Sequence, residues 1–330
     1  MKYKTLILPT KTRLNDVCSP MCHELIDTYC QPVWNYLDHD LTSQEVINLV
    51  EDVDIILTSW GSPVIHEEVL LRAKRLKAIA HAAGSVKQLV PRSAFEHGIV
   101  VFSAAPRIAQ SVGEYCLAAL LNLMNRFKDL DQNVRTYRWK EKGVRRNELA
   151  HKRIGLVSAS STARAFLQFL KPFHCEVIVY DPYLHDEEAR ELGVSKGTLE
   201  EIFACDVISL HAPSIPETKY LITGDLLKSI PEGAIFINSS RTTILDEHLL
   251  IKELQTGRFY AALDVYETEP LLDCHPFVSM NNVLLTPHVA GDTVEGHQDL
   301  MYEVLKDVIG YLEGEQPKYA LNPEKWDTMA

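Results

Sequence analysis

The feature that most constrains the fold is an alternation of short apolar runs with amphipathic, helix-like segments along most of the chain. The runs "KTLILP", "VDIILTSW", "LKAIAHAA" and "GIVVFSAA" fall within about the first hundred residues, and six further runs follow residue 153. Short runs rich in Ile, Val and Leu are typical of strands buried on both faces of a parallel sheet. Strands that alternate with helices in this way predict an α/β architecture.

The length of the chain predicts more than one domain, because 330 residues exceed what one hydrophobic core usually serves. The two series of strand-like runs give two Rossmann-like domains. We expect a flavodoxin-like substrate domain, formed by residues 1–104 and 292–330, and an inserted, doubly wound nucleotide-binding domain at residues 105–291. The final helix, "HQDLMYEVLKDVIGYLEGE", is expected to return to the first domain.

Composition narrows the classes of partner. The formal net charge of −12 disfavours nucleic acid and anionic membranes, since both are bound mainly through Lys and Arg contacts to phosphates. No apolar run approaches the ~18 residues that a membrane span needs. The N-terminal stretch fits a first strand better than an export signal, so we expect a cytoplasmic protein. The seven cysteines form no Cys-x-x-Cys pair, and we expect neither a disulfide framework nor a metal site.

Polar side chains stand where the predicted strands of the second series end. The carboxyl ends of strands in an open parallel sheet line a ligand crevice, so these side chains are candidates for one site. Taking hydride from a hydroxy acid requires a base for the alcohol proton, and histidine suits that role beside a carboxylate that stabilises the imidazolium. Arginine can bind a substrate carboxylate with two hydrogen bonds. The candidates are Asp181, His211, Asn238, Arg241, Asp264, Glu269 and His288.

The segment "RIGLVSASSTARAF" predicts a strand that turns sharply into a helix, the place where dinucleotide-binding folds carry G-x-G-x-x-G. Here the three glycine positions are Ser158, Ser160 and Ala163. A serine where the backbone needs a positive φ costs about 1 kcal/mol or more, and its side chain takes space near the pyrophosphate. The helix N-terminus still attracts an anion, and the hydroxyls of Ser160, Ser161 and Thr162 can bind phosphate oxygens. Alternatively, these residues only cap the helix.

Asp181 closes the next predicted strand, 21 positions after Ser160 (181 − 160). In NAD-binding folds an acidic residue about 20 positions beyond the glycine-rich turn hydrogen-bonds the ribose hydroxyls and disfavours a 2′-phosphate. The sequence therefore predicts NAD as the cofactor in preference to NADP.

Three blocks, "INSSRTTILDEHLL", "AALDVYETEP" and "NNVLLTPHVAG", resemble the signature blocks of the NAD-dependent D-2-hydroxyacid dehydrogenase family and occur in the same order. The resemblance covers most of the chain and is weakest near its N-terminus. It implies that Arg241 orients the substrate, that Glu269 is the carboxylate partner and that His288 is the acid/base. It also implies an enzyme that interconverts a 2-oxoacid and a D-2-hydroxyacid.

The same resemblance implies further contacts. In "HAAGSV" it implies a loop whose backbone N–H groups bind the substrate carboxylate, although the residues alone also fit a plain turn with Gly84 at a positive φ. The segments "HAP" and "PETKYLI" resemble cofactor-side positions. The predicted substrate contacts are Ala83, Gly84, Ser85 and Val86. The predicted cofactor contacts are Ser160, Ser161, Thr162, Asp181, His211, Ala212, Pro213, Thr218, Asn238, Ser239, Asp264 and Gly291.

Residues 111–127, "SVGEYCLAALLNLMNRF", predict a helix that is apolar on nearly every face and is therefore buried, either inside the chain or at a subunit contact. Together with the family resemblance, this helix implies a homodimer formed through the nucleotide-binding domain. Two other functions stay open, because a fold alone does not determine function. One is a catalytically silent, dehydrogenase-like dimer that senses nucleotide or acts as a scaffold. The other is an enzyme that keeps one tightly held cofactor through each cycle.

Overall fold

The computed structural model describes residues 2–140 and 145–328. The chain divides into two units, of which the first comprises Met1–Ile108 and Asp292–Ala330 and the second comprises Ala109–Gly291. The sequence predicts the first boundary after residue 104, whereas the structure has it after Ile108, inside a helix. The second unit is thus inserted between two parts of the first.

The first unit is built on a parallel sheet with helices between consecutive strands. Its strands are β1 Tyr3–Ile7, β2 Cys30–Trp34, β3 Ile55–Thr58, β4 Ala78–His81 and β5 Val100–Ser103. Its first helices are α1 Lys11–Val17, α2 Pro20–Tyr29, α3 Ser43–Leu49, α4 Glu67–Arg72 and α5 Ser93–Glu96. The described strands pair in parallel in the order β2-β1-β3-β4-β5. This is the flavodoxin-like order, which confirms the predicted fold of this unit.

Helix starts in the first unit follow from local sequence. Ser19 accepts a hydrogen bond from the N–H of Cys22 ahead of Pro20, the first residue of α2. At the start of α3, Thr42 and Glu45 form a reciprocal capping box. Serine or threonine before a helix, with glutamate three residues later, is the usual sequence signal for such a start.

Strand β2 is a fifth strand where the sequence analysis found four. Its sequence, "CQPVW", contains Pro32, which cannot donate a hydrogen bond to the ladder. The strand lies at the edge of the sheet, where proline is tolerated, and pairs only with β1 in the described sheet. The apolar pattern alone could not reveal it.

The second unit is a doubly wound parallel sheet. Its strands are β6 Arg153–Val157, β7 Glu176–Tyr180, β8 Ser195–Lys196, β9 Val207–Leu210, β10 Ile235–Asn238, β11 Tyr260–Leu263 and β12 Val283–Leu285. Its helices are α6 Ala105–Asn125, which begins before the boundary, α7 Phe127–Arg135, α8 Ser161–Leu170, α9 Asp186–Leu192, α10 Leu199–Phe203, α11 Gly224–Ser229 and α12 Glu247–Leu254. The described strands lie in the order β12-β11-β10-β9-β6-β7-β8, so the winding reverses between β6 and β9. A ligand crevice is expected at this reversal.

The helix predicted at residues 111–127 differs from the observed one. Helix α6 ends at Asn125, and Arg126 takes a left-handed φ of 53° before α7 begins. Glu114 and Ala118 of α6 are exposed, so the helix is buried on one face and not on nearly every face. On its buried face, a Cβ at Gly113 would lie 2.8 Å from the backbone nitrogen of Phe166. The glycine thus permits close packing of α6 against α8.

The chain returns to the first unit through α13, Val294–Leu312. One face of this helix is buried in the same apolar core as Ile7, Leu57 and Phe102. Cys18, Cys22 and Cys30 are buried in this core as well. Within residues 2–140 and 145–328, no group of three or more metal-binding side chains could hold an ion. No helix in the described part of the chain is both long and apolar enough to cross a bilayer.

Candidate active site

His288 and Glu269 form a hydrogen-bonded pair beyond the carboxyl ends of neighbouring strands. Glu269 follows β11 and His288 follows β12, and these strands pair in parallel. The His288 Nδ1 lies 2.7 Å from the Glu269 Oε2. With Nδ1 bonded to a carboxylate, Nε2 is left to exchange a proton with a substrate. The His288 side chain is 49% exposed, so a small molecule can reach it.

Glu269 is held at both of its oxygens. Oε1 accepts a hydrogen bond from the backbone N–H of Tyr266 at 3.0 Å, while Oε2 bonds His288. Partial burial alone would raise the pKa of Glu269, but these hydrogen bonds and the nearby charges of His288 and Arg241 hold that pKa below its usual value. Glu269 is therefore an ionised acceptor over the physiological pH range.

Arg241 lines the same open cavity as Glu269 and His288. Its Nη1 donates to the carbonyl of Ser240 at 2.7 Å, and a guanidinium has further N–H donors in the planar arrangement that fits a carboxylate. The structure therefore brings together the three residues predicted for the reaction centre. The other residues around this cavity are Thr242, Val265, Tyr266 and Glu267.

Asn238 shapes the turn that presents Arg241. The Asn238 side chain is buried, and its Oδ1 accepts hydrogen bonds from Ser240 N at 3.1 Å and from Ser240 Oγ at 3.0 Å. Its Nδ2 donates to the Arg241 carbonyl at 3.5 Å. The neighbouring Ser239 hydroxyl lies 3.3 Å from the Cys116 sulfur. In the described structure, the side-chain oxygen and nitrogen of Asn238 thus form hydrogen bonds within the turn.

Asp264 anchors the loop that carries His288. It is 1% exposed, and its carboxylate accepts hydrogen bonds from the N–H groups of Val289 and Ala290, both at 2.9 Å. The Thr286 hydroxyl donates to the same carboxylate at 2.6 Å. His288, between these anchors, has a φ of +56°, which costs a non-glycine residue about 1 kcal/mol or more. Anchors on both sides therefore maintain the strained backbone that positions the ring.

Two tyrosines that the sequence analysis did not single out complete this framework. The Tyr266 hydroxyl lies 2.8 Å from the carbonyl oxygens of both Leu263 and Thr286, and its single hydrogen is shared between them. The Tyr115 hydroxyl lies 2.7 Å from the Thr286 hydroxyl. Burial raises the pKa of Tyr266 to about 12, and it raises the pKa of Tyr115 as well, so both remain neutral. For Tyr266, its place inside the motif block "AALDVYETEP" was the signal that could have found it, whereas Tyr115 lies within the predicted apolar helix and carried no such signal.

The turn after β6 keeps a glycine-like backbone without glycine. Ser158 has a φ of +80°, and its N–H donates to the carbonyl of Tyr180 at 2.7 Å. The Ser158 hydroxyl and the Ala159 N–H both donate to Asp181 Oδ2, at 3.1 and 2.8 Å. The Tyr183 N–H donates to the other oxygen at 2.8 Å. Asp181 therefore braces the turn, and the Ser158 hydroxyl is directed toward that carboxylate.

The N-terminus of α8 fits an anionic group. Ser160 is its N-cap and accepts a hydrogen bond from the Ala163 N–H, and its hydroxyl lies 2.9 Å from that of Thr162. A ten-residue helix beginning at Ser161 presents first-turn N–H groups and a positive dipole end, which together favour phosphate. Capping and phosphate binding are thus compatible at this turn. Gly291, another predicted cofactor contact, ends the second unit.

His211 lies buried directly after β9. Its Nε2 is 2.9 Å from the Ser209 hydroxyl, whereas its Nδ1 has no hydrogen-bond partner among the described residues. Burial lowers the pKa of His211 to about 3, so the ring is neutral and can receive or donate one further hydrogen bond. Ala212 and Pro213 follow it, and the Thr218 hydroxyl donates to the Pro213 carbonyl and so closes this turn. The unsatisfied ring nitrogen fits a site that binds a polar group.

The predicted substrate loop follows β4 in the first unit. Ala83 and Val86 are buried, Gly84 is half-buried and Ser85 is exposed. The Ser103 hydroxyl donates to the carbonyls of Ala83, at 3.3 Å, and Gly84. Gly84 does not have a positive φ, so the alternative of a plain turn with left-handed Gly84 is wrong in that respect. Hydrogen bonding from β5 shapes this loop instead.

Comparisons with known proteins identify the family. Residues 117–290 match the family described as D-isomer specific 2-hydroxyacid dehydrogenase, NAD binding domain. The chain is 30% identical over 301 residues to a glyoxylate reductase of Pyrococcus furiosus, covering 88% of this chain and 89% of that protein. It is 29% identical over 284 residues to a D-3-phosphoglycerate dehydrogenase of Archaeoglobus fulgidus, covering 86% of this chain and 54% of that protein. The chain thus spans about half the length of the phosphoglycerate dehydrogenases that it matches.

Solved structures share the fold. A phosphoglycerate oxidoreductase from Rhizobium etli matches with a TM-score of 0.84 at 23% identity, covering 96% of this chain and 98% of that chain. A D-mandelate dehydrogenase of Rhodotorula graminis matches with a TM-score of 0.79 at 17% identity, covering 98% of each chain. The segment matching the family's NAD-binding domain makes up more than half of the 330 residues. This chain belongs to the D-isomer specific 2-hydroxyacid dehydrogenase family, and NAD is its cofactor.

Proposed function

We propose that this chain is an NAD(H)-dependent oxidoreductase that interconverts a 2-oxoacid and a D-2-hydroxyacid. The observation that carries the proposal is the 2.7 Å contact between His288 and Glu269 beside Arg241, in one open cavity. A histidine paired with a carboxylate is the acid/base that a carbonyl–alcohol conversion needs, and an arginine binds the acid group. The relative named glyoxylate reductase supports a small 2-oxoacid as substrate.

Each member of this trio has a distinct chemical task. When bound, NAD(H) supplies or accepts a hydride at nicotinamide C4. In the reducing direction His288 donates its Nε2 proton to the carbonyl oxygen that becomes the alcohol, and in the oxidising direction the neutral ring accepts that proton. Glu269 stabilises the charged ring throughout. Arg241 holds the substrate carboxylate and polarises the neighbouring carbonyl.

We also propose that the backbone N–H groups of Ala83, Gly84, Ser85 and Val86 bind the acid group of the substrate. Support comes from the Ser103 hydroxyl, whose single hydrogen is shared between the carbonyls of Ala83 and Gly84 and points both carbonyls toward β5. With these carbonyls bonded elsewhere, the loop offers donors to an anion.

For the cofactor, we propose that the pyrophosphate lies at the N-terminus of α8, near the hydroxyls of Ser160, Ser161 and Thr162. Asp181 then faces the ribose hydroxyls and disfavours a 2′-phosphate, which selects NAD over NADP. His211 supports this placement through its unsatisfied ring nitrogen. The remaining proposed cofactor-side residues are Ala212, Pro213, Thr218, Asn238, Ser239, Asp264 and Gly291.

We further propose a homodimer formed through the second unit, in the cytoplasm. Helix α7 has no buried residue in the described structure, yet Phe127 and Val134 lie on one face of it, seven positions apart. They are 53% and 54% exposed, and the nearby Tyr137 and Trp139 are 97% and 75% exposed. An apolar surface of this kind is typical of a protein interface, and a second copy is its proposed partner.

The deciding experiment combines binding with turnover. Purified protein is titrated with NADH in a calorimeter and then assayed with glyoxylate, hydroxypyruvate, pyruvate and bulkier 2-oxoacids, each with NADH and with NADPH. We expect NADH binding and reduction of at least one acid, with NADH preferred. Binding without turnover of any acid would favour a silent, nucleotide-sensing protein. Absence of binding at millimolar NADH by folded protein would reject the cofactor site.

A further inference from the structure

A buried carboxylate lies behind the loop that carries Glu269. Glu247, the first residue of α12, is 8% exposed. Its Oε2 accepts a hydrogen bond from the backbone N–H of Glu267 at 2.9 Å. Glu267 precedes Glu269 by two residues and lines the same cavity, whereas Glu247 is not among the described residues around it. Glu247 therefore holds the backbone next to the reaction centre from outside the cavity.

The second oxygen of Glu247 holds the far end of the same loop. The His275 Nε2 lies 3.2 Å from Glu247 Oε1, and the His275 Nδ1 accepts from the N–H of Phe277. Because Nδ1 is an acceptor, Nε2 carries the proton and donates to Glu247 even when the ring is neutral. The ring also packs 4.8 Å, centroid to centroid, from Phe277, which is fully buried. Through His275, one carboxylate thus connects both ends of segment 267–275 to the core.

The segment between these two anchors packs against the core through the partly buried Leu271, and most of its other residues are exposed. Residues 267–270 are exposed, and Leu272 is 60% exposed. A segment of this kind opens easily unless specific hydrogen bonds hold it. Burying a carboxylate is costly unless it is paired and hydrogen-bonded, so an ionisable group at Glu247 is poorly explained by core stability alone.

We propose that Glu247, together with His275, is a positioning residue that keeps Glu269 in hydrogen-bond contact with His288. This inference rests on the proposed function, in which Glu269 and His288 form the acid/base pair. The charged side chains that line the cavity with His288 are Glu267, Glu269 and Arg241, and of these Glu269 is hydrogen-bonded to the His288 ring. If the loop loosens, Glu269 is hydrogen-bonded to His288 for a smaller fraction of the time. The charged form of the His288 ring is then less stable, and proton donation to the substrate becomes slower.

The test compares Glu247→Gln with a matched control on the same helix. Glu253 is also largely buried and pairs with Arg258 at 3.0 Å, so Glu253→Gln makes the same chemical change at another partnered carboxylate of α12. We expect Glu247→Gln to lower kcat by about 10- to 100-fold, the effect known for hydrogen-bond partners that orient metal-binding side chains. We also expect an unchanged KM for NADH. In the dependence of kcat on pH, the decline on the alkaline side should begin at a lower pH than in the wild type. His275→Gln, which retains an N–H donor, should keep more activity than His275→Ala, while Glu253→Gln should match the wild type.

A second readout does not depend on turnover. The ring of His288 is titrated by NMR in the wild type, Glu247→Gln, Glu253→Gln and Glu269→Gln, after circular dichroism has shown each variant to be folded. We expect the pH midpoint of the His288 titration in Glu247→Gln to move from the wild-type value toward the value in Glu269→Gln. The midpoint in Glu253→Gln should stay at the wild-type value. An unchanged midpoint in folded Glu247→Gln would overturn the proposal. A wild type that reduces no 2-oxoacid would instead reject the proposed function, and the NMR titration would still decide the role of Glu247.

Discussion

The Ser158 hydroxyl donates a hydrogen bond to Asp181 at 3.1 Å, and this contact joins a strained turn to a residue proposed to bind the cofactor ribose. Ser158 has a φ of +80°, a conformation that glycine adopts without cost. The Ala159 N–H donates to the same oxygen of Asp181 at 2.8 Å. Hydrogen bonds to a carboxylate thus compensate for the missing glycine.

Variants at Ser158 should separate backbone strain from the hydrogen bond. Ser158→Ala keeps the positive φ and loses the hydroxyl, whereas Ser158→Gly loses the hydroxyl but relieves the strain. We expect Ser158→Ala to be less stable than Ser158→Gly by about 1 kcal/mol, the cost of a non-glycine residue in this conformation. Chemical denaturation at neutral pH measures this difference. Equal stability of the two variants would show that the φ of Ser158 costs nothing.

Removing the proposed acid/base should slow the reaction strongly without changing the affinity for the cofactor. We expect His288→Ala to lower kcat by at least about 100-fold, the scale of general acid–base catalysis. The dissociation constant for NADH, measured by calorimetry, should stay close to that of the wild type. His248→Ala, at an exposed position of α12, is the control and should retain full activity. Unchanged kcat in His288→Ala would reject the role of His288.

The lowered pKa of Glu269 predicts how its contribution to stability depends on pH. A carboxylate with a lowered folded-state pKa stabilises the protein above its unfolded pKa, about 4.3 for glutamate, and this contribution is lost as the pH falls through the folded-state value. The wild type should therefore be more stable than Glu269→Gln at pH 6, and the difference should shrink at pH 3. Urea unfolding at both values tests this.

Replacing the proposed substrate-binding arginine by lysine should weaken binding of the acid. Arg241→Lys keeps the positive charge but loses the planar pair of donors. A charged hydrogen bond contributes roughly 1.5–3 kcal/mol, so we expect KM for the 2-oxoacid to rise at least about tenfold. Steady-state kinetics with saturating NADH measures the change, and KM for NADH should be unaffected. A lysine variant with wild-type KM would remove Arg241 from substrate binding.

The exposed apolar residues around α7 predict how the dimer can be broken. Phe127→Ser combined with Trp139→Ser removes two large side chains that are 53% and 75% exposed. If they lie in a dimer interface, light scattering after size exclusion should show a monomer, since large aromatic residues often dominate such interfaces. Leu71→Ser, a change at a 65% exposed position of the first unit, should leave the mass unchanged. A monomeric wild type would contradict the proposed homodimer.

The amino-acid sequence by itself determined the local features and the family. Apolar runs bounded by polar residues located most strands, and Arg241, Glu269 and His288 stood in recognisable segments at strand ends. Such signals act over a few residues, because helix caps and side-chain periodicity depend on near neighbours. Strand β8 escaped detection because it has only two residues, and β2 escaped because Pro32 interrupts its apolar pattern. Both lie at a sheet edge, where pairing and not apolar pattern defines the strand.

Only the tertiary structure decided which polar groups support the site. Asp264 bonds Ala290 across 26 positions, and Glu247 meets His275 across 28, and neither spacing carries a sequence signal. The left-handed backbone at Ser158 and His288 is likewise set by partners on other strands or loops. A buried carboxylate is stable only where folding brings donors to it, so its role is defined by contacts that exist only once the sheet has assembled.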